Sequence, residues 1–131
     1  MILGGIAILT TLGFANNKYN KYDKYKKDLE VEMKLIDGPT VNKLFGVNDA
    51  GESRFYYIYG SITSKIKGKA TLVLEIYTLT SEGTPKDFHP MRLNWISTNE
   101  KCYFLLYAGD IHPYGGLNAE LGYNITYIRI K

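Results

Sequence analysis

From residue 54 onward the chain falls into five runs rich in β-branched and aromatic residues. They are "RFYYIYGSI" (54 to 62), "GKATLVLEIYTL" (68 to 79), "MRLNWIS" (91 to 97), "CYFLLYAG" (102 to 109) and "YNITYIRIK" (123 to 131). Such side chains suit a pleated, half-buried surface, and turn formers bound each run, so about five strands are expected. Alternation places Leu72, Leu74 and Ile76 on one face of the second strand, and Met91, Leu93 and Trp95 on one face of the third. The short connections "TSKIKGK" and "STNEK" read as hairpins between antiparallel neighbours. "SEGTPKDFHP", with two prolines, and "GDIHPYGGLNAELG" read as loops.

The N-terminal part has a different character. Residues 2 to 15, "ILGGIAILTTLGFA", carry no charge, and the following "KYNKYDKYKK" repeats lysine and tyrosine every third residue. As a helix the apolar run spans roughly 21 Å against a hydrocarbon layer of about 30 Å, and the turns holding Tyr19 and Tyr22 extend it to about 31 Å. Tyrosine rings belong at the headgroup level, and lysine stems lie along a helix while their ammonium groups reach water. Lys18, Tyr19, Lys21, Tyr22, Lys24 and Tyr25 are therefore expected to mark a membrane interface, with residues 1 to 27 as a single-pass anchor and basic stem. A cleaved signal ending near Gly13 and Ala15 and a buried core helix are the competing readings. Beyond the stem, "YKKDLEVEMKLI" alternates like a strand at Leu29, Val31, Met33 and Leu35 but also offers a helical face. Its Leu, Glu, Met and Lys are good helix formers, so the stem helix is expected to run to Ile36. "DGP" at 37 to 39 stops it, and a short second helix, "PTVNKLFG", ends at Gly46. The fold class is thus α+β: a membrane helix continuing into a stem, a short helix, and a curved antiparallel sheet in a domain spanning residues 28 to 131.

Composition narrows the functions available. At 131 residues with 45% hydrophobic and 22% charged side chains, one folded domain is expected. A formal charge of +3, carried by 13 Lys and 3 Arg, creates no strong field for nucleic acid. The single cysteine, Cys102, excludes an intrachain disulfide framework and reads as an inert core thiol. His89 and His112 each precede proline, which marks turns, and "DIH" gives a metal at most two ligands, Asp110 and His112. No nucleophile stands beside them in a known motif, and no phosphate loop is present. No enzyme activity, metal or cofactor is expected. What remains is surface: 12 tyrosines, clustered as "FYYIY" and "YFLLY", exceed the needs of a one-sided core. Tyr56, Tyr57 and Tyr59 are expected at a partner interface. Lys65, Lys67 and Lys69, at the tip of "KIKGK", are candidates to receive an acidic partner.

The order of these elements resembles two related mitochondrial groups. A partly helical basic stem, "PTVNKLFG", a strand closing in "YGS", "GKATLVLEIY", and "FHPMRLNWIS" leading into "KCYFLLY" are similar to the cytochrome c oxidase assembly factor family. They also resemble the small intermembrane-space-facing subunit of the inner-membrane presequence translocase. The resemblance covers residues 25 to 107 and rests on Gly46, Gly60, Ser61 and Gly68. Residues 108 to 131 have no counterpart and read as an added loop and strand. The resemblance implies one membrane helix and a domain in the intermembrane space, whereas five lysines against one aspartate in residues 18 to 27 favour the matrix side. The expected function is a non-enzymatic accessory subunit or assembly factor of a mitochondrial inner-membrane respiratory complex, acting as a scaffold among membrane subunits and lipid. The alternatives are a translocase component binding an acidic receptor segment, and a soluble small-ligand carrier.

Overall fold

Strict alternation in "ATLVLEIYTL" needs a second apolar layer to cover Leu72, Leu74 and Ile76, all fully buried. The computed structural model describes residues 20–110, 113 and 116–131. Its elements are a 3₁₀ turn at Asp23–Asp28, β1 (Leu29–Asp37), α1 (Gly38–Phe45), β2 (Tyr56–Ser64), β3 (Ala70–Leu79), β4 (Pro85–Ile96), β5 (Lys101–Gly109), a second 3₁₀ turn at Gly116–Asn118, and β6 (Leu121–Ile130). The strands form two three-stranded sheets, β1-β2-β5 and β4-β3-β6, antiparallel throughout. Leu35, Ile58, Ile62 and Phe104 of the first sheet meet Leu72, Leu74, Ile76, Met91 and Ile125 of the second in one core. Each such side chain stabilises the fold by about 1.5–3 kcal/mol when fully buried. The architecture is a β-sandwich.

The expected α+β arrangement is corrected in three places. Leu29–Asp37 is a strand and not the end of a stem helix: its Leu29 and Leu35 are buried while Glu30, Glu32 and Lys34 are exposed. Pairing along the whole of β2, from Leu29↔Ser64 to Asp37↔Tyr56, outweighs the helix propensity of its residues. The one described α-helix, α1, is capped by the Asp37 carboxylate, which accepts from the Thr40 amide at 2.9 Å, and by Gly46 in the left-handed region. No helix of the described residues is long and apolar enough to cross a membrane. Of the anchor and basic stem expected over residues 1 to 27, residues 1 to 19, Lys18 and Tyr19 included, lie outside the described residues.

Second, "TSKIKGK" and "STNEK" do not join neighbours in a sheet; each carries the chain from one sheet to the other. Ile66, flanked by lysines, is buried and draws its connection across the core. The two crossings brace one another, because the Asn99 amide donates to the Ser64 carbonyl at 2.7 Å and the Thr98 hydroxyl to the Ile66 carbonyl at 2.7 Å. Third, residues 85 to 90 belong to β4 and are not loop. Proline is tolerated there because β4 is an edge strand. The same strand carries bulges with Asp87 at φ 57° and Trp95 at φ 51°. The second bulge turns Trp95 out of step with Met91 and Leu93, toward the Arg129 guanidinium at 5.9 Å and the Lys131 ammonium at 5.1 Å.

The lysine–tyrosine repeat has a local cause in this fold. A 3₁₀ turn has three residues per turn, so Tyr22 and Tyr25 share a side, and both pack against the core. Lys21 and Lys24 lie over those rings at 5.2 and 5.3 Å, and Lys26 over Tyr123 at 4.8 Å. The segment touches both β1 and β6, closing that side of the sandwich.

A methyl group at Gly60, midway along β2, would run into the Glu32 carbonyl and the Phe104 ring. Gly60→Ala should therefore lower the free energy of unfolding by about 1–3 kcal/mol in urea titrations. Alkali provides a second check. Burial lowers the Lys26 ammonium below its ordinary 10.5, against an opposing pull from Asp23. Between that lowered value and 10.5 the unfolded chain binds more protons, so stability climbs with pH. Burial raises the phenols of Tyr56, Tyr77 and Tyr123 above 10.0, and their contribution is lost as pH rises past it. Urea midpoints should rise on the alkaline side and then fall, and Lys26→Met should remove the rise but not the fall.

Candidate functional site

The register of β1-β2-β5 decides which side chains leave the core. Ile36, Tyr57 and Tyr107 stand in one row across the sheet; Lys34, Tyr59 and Leu105 in the next; Glu32, Ser61 and Tyr103 in a third. These rows face outward, because the residues between them, Leu35, Ile58 and Phe104, belong to the core. "FYYIY" and "YFLLY", distant in sequence, are thus adjacent on one surface. Tyr103 is 64% exposed, Tyr107 53% and Leu105 36%, which is high for aromatic and aliphatic side chains in mid-strand.

Helix α1 and the loop after it frame this surface. Val41 and Ala50 pack on Ile36 and on the flanks of Tyr57 and Tyr59, a small cluster separate from the main core. The Tyr57 hydroxyl donates to the Ala50 carbonyl at 2.6 Å. The rings meet edge to face: Tyr57 on Tyr107 at 5.4 Å, Phe55 on Tyr107 at 6.3 Å, and Phe45 on Tyr59 at 5.7 Å. Cations stand at the margin, with the Arg54 guanidinium 4.5 Å from the Phe55 ring and the Lys101 ammonium 5.6 Å from that of Tyr103. Between Tyr59 and Tyr103 a shallow cleft of about 270 Å³ opens over Gly60 and Ser61, walled by Glu32, Met33 and Lys34. The result is an apolar, aromatic face with a polar rim that carries both signs of charge, Glu32 and Glu52 beside Lys34, Arg54 and Lys101.

The other sequence candidates are scattered. Tyr56 points into the core and is buried, with burial and the nearby Asp87 both holding its phenol protonated. Lys65, Lys67 and Lys69 are exposed at the crossing between sheets, near the end of β2, whereas Tyr57 stands near its start. Lys65 is already engaged, 3.8 Å from Glu30 Oε2 and 3.2 Å from Asn99 Oδ1. Tyr22 and Tyr25 pack on the core, and Lys21 and Lys24 are exposed beside them. Cys102 faces inward on β5, where burial and Glu100 push its thiol up and make it a poor nucleophile. His89 lies in β4 rather than in a turn, and burial pushes its imidazole down, against Asp87, so it stays neutral around pH 7. Asp110 is exposed, and its backbone carbonyl accepts from Arg54 at 3.3 Å; His112 lies outside the described residues. No three His, Cys, Asp or Glu gather among the described residues.

The sequence counts "YFLLY" among the excess aromatic residues but assigns Tyr103, Leu105 and Tyr107 to no interface. The signal was available, since "YFLLY" alternates in step with "YYIY" once the two strands are paired.

Comparison with protein-family models, curated proteins and solved structures finds no match, so the site is read from its own geometry. Neither that comparison nor the fold carries the mitochondrial, inner-membrane, transmembrane and respiratory-chain terms, cytochrome c oxidase included, that the resemblance implied. A two-sheet sandwich stands where an α+β domain on a long stem helix was expected, and those terms are withdrawn.

Side chains held for binding contribute little to folding. Tyr103→Ala should change unfolding free energy by no more than about 0.5 kcal/mol, and Tyr107→Ala, which loses its ring contacts with Tyr57 and Phe55, should cost about 0.5–1.5 kcal/mol. Tyr57→Phe, which strands the Ala50 carbonyl, should cost about 1 kcal/mol; equal losses at all three positions would make the face structural.

Proposed function

We propose that this chain is a non-enzymatic binding module that holds a protein partner on the outer face of the β1-β2-β5 sheet and works as a scaffold. The observation that carries this reading is the row of exposed Tyr103, Leu105 and Tyr107 beside Tyr57 and Tyr59. Aromatic side chains are enriched and charges depleted at the centre of interfaces, with polar groups at the rim, and a contiguous exposed apolar patch marks an interaction site. Arg54, which already pairs with Glu52 at 3.2 Å, and Lys101 stand at the rim, where charge steers association.

The alternatives have less support. An acidic segment would have to compete with Glu30 for Lys65. A carrier needs a cavity inside the fold, and the space between the sheets is filled by Ile58, Ile62, Leu72, Leu74, Ile76 and Ile125, all without exposure.

The test is site-specific photo-crosslinking in the native cell. A benzophenone side chain in place of Tyr103 or Tyr107 should give a discrete protein adduct, and one in place of Arg92, on the outer face of the other sheet, should not. Tyr59→Ala should then weaken association with the adducted protein at least about ten-fold. Equal adducts from Arg92, or an affinity indifferent to Tyr59→Ala, would overturn the assignment.

A further inference from the structure

A sandwich of two open sheets has four edge strands, and each presents unpaired amide and carbonyl groups to any strand that comes near. Three of the four are guarded. β1 carries the exposed charges Glu30, Glu32 and Lys34, and Leu117 to Leu121 approach it across a shared groove. β6 is shielded by the N-terminal segment, where the Asn20 side-chain amide donates to the Ile125 carbonyl at 2.9 Å and Tyr22 lies against Tyr127 at 6.3 Å. β4 contains Pro85 and Pro90 and is bent by its two bulges.

The fourth edge, β5, has none of these devices. From Cys102 to Gly109 it carries no charge and no proline, and its only irregularity lies at its end, opposite Tyr56 and Tyr57. Among the described residues nothing pairs with its outer side. Its sequence is also complementary to itself. When "YFLLY" is laid antiparallel on a second copy about Leu105, Tyr103 falls opposite Tyr107, Phe104 opposite Leu106, and Leu105 opposite Leu105. Aromatic meets aromatic on the outer face and apolar meets apolar on the inner, with no like charges opposed within the run. At each end Lys101 falls opposite Gly109, and just outside the strand Glu100 falls opposite Asp110 of the other copy, with the Lys101 ammonium next to that acidic pair.

We propose that β5 is a dimerisation edge on which a second copy of this chain adds antiparallel, about a two-fold axis at Leu105. The contact is isologous and closes as a pair. It turns two three-stranded sheets into one continuous sheet and makes the two aromatic faces a single surface. This goes beyond the binding reading, because it concerns the strand edge and needs no other protein.

Sedimentation velocity on the full chain tests it with two charge variants. Tyr103→Lys with Tyr107→Lys opposes like charges at both ends of the pairing and should raise the dimer dissociation constant at least about ten-fold. Tyr103→Lys with Tyr107→Glu opposes unlike charges and should stay within about three-fold of the native chain. Both variants alter the aromatic face equally, so a loss of partner binding shared by both bears on the face and not on the edge. Opposite residues of an antiparallel pair have Cα atoms about 4.5–5.5 Å apart, within reach of a disulfide. With Cys102→Ser as background, Leu105→Cys should therefore oxidise to a covalent dimer, and Thr63→Cys, on the interior strand β2, should not. A monomeric native chain, equal self-association of the two charge variants, or equal crosslinking at Thr63 would each overturn the proposal.

Discussion

Neither three-stranded sheet can bury its apolar face alone, and everything else in this protein follows from the way each covers the other. Ile58 and Ile62 on one side and Leu72, Leu74, Ile76 and Ile125 on the other are fully excluded from water. Strands joined by four or five residues would ordinarily pair, yet here the chain crosses between layers twice at one end, at Lys65–Lys69 and at Ser97–Glu100. Those crossings are short enough to strain unless they share hydrogen bonds, which Thr98 and Asn99 supply. With the inner faces committed to each other, aromatic residues at odd positions of β2 and β5 have nowhere to go but outward.

That outward set separates packing from recognition. The main core contains no ionised side chain, and polar neighbours such as Thr71 and Thr78 sit on β3 with hydroxyls used in bonds to the bulged strand β4. The titratable groups that burial perturbs, Tyr56, Tyr77, Tyr123, Lys26, His89 and Cys102, lie in or around the core and each is moved toward its neutral form. Such groups define the fold's response to pH.

Much of this was legible in the residues, and the errors have physical causes. All five β-rich runs became strands, and the burial of Leu72, Leu74 and Ile76 followed from period two alone. Gly46 ended the short helix as its position required. Residues 29 to 37 carried both periods at once, and the choice between them was made by β2, more than twenty residues away, which no local propensity encodes. Over its described part, the three-residue spacing of "KYNKYDKYKK" has the period of the 3₁₀ turn at Asp23–Asp28. Loop length could not distinguish a hairpin from a crossing; the buried Ile66 among lysines was the clue. Of the outer aromatic face, both tyrosine clusters were legible as an excess of aromatic residues, but Tyr103, Leu105 and Tyr107 joined Tyr57 and Tyr59 on one surface only once β5 was placed beside β2.

The hydrogen bond from Asn20 to Ile125 fixes where the chain enters the sandwich, along β6 in the sheet opposite the aromatic face. Loss of that one amide would uncover the Ile125 carbonyl and leave the edge of the second sheet open to pairing.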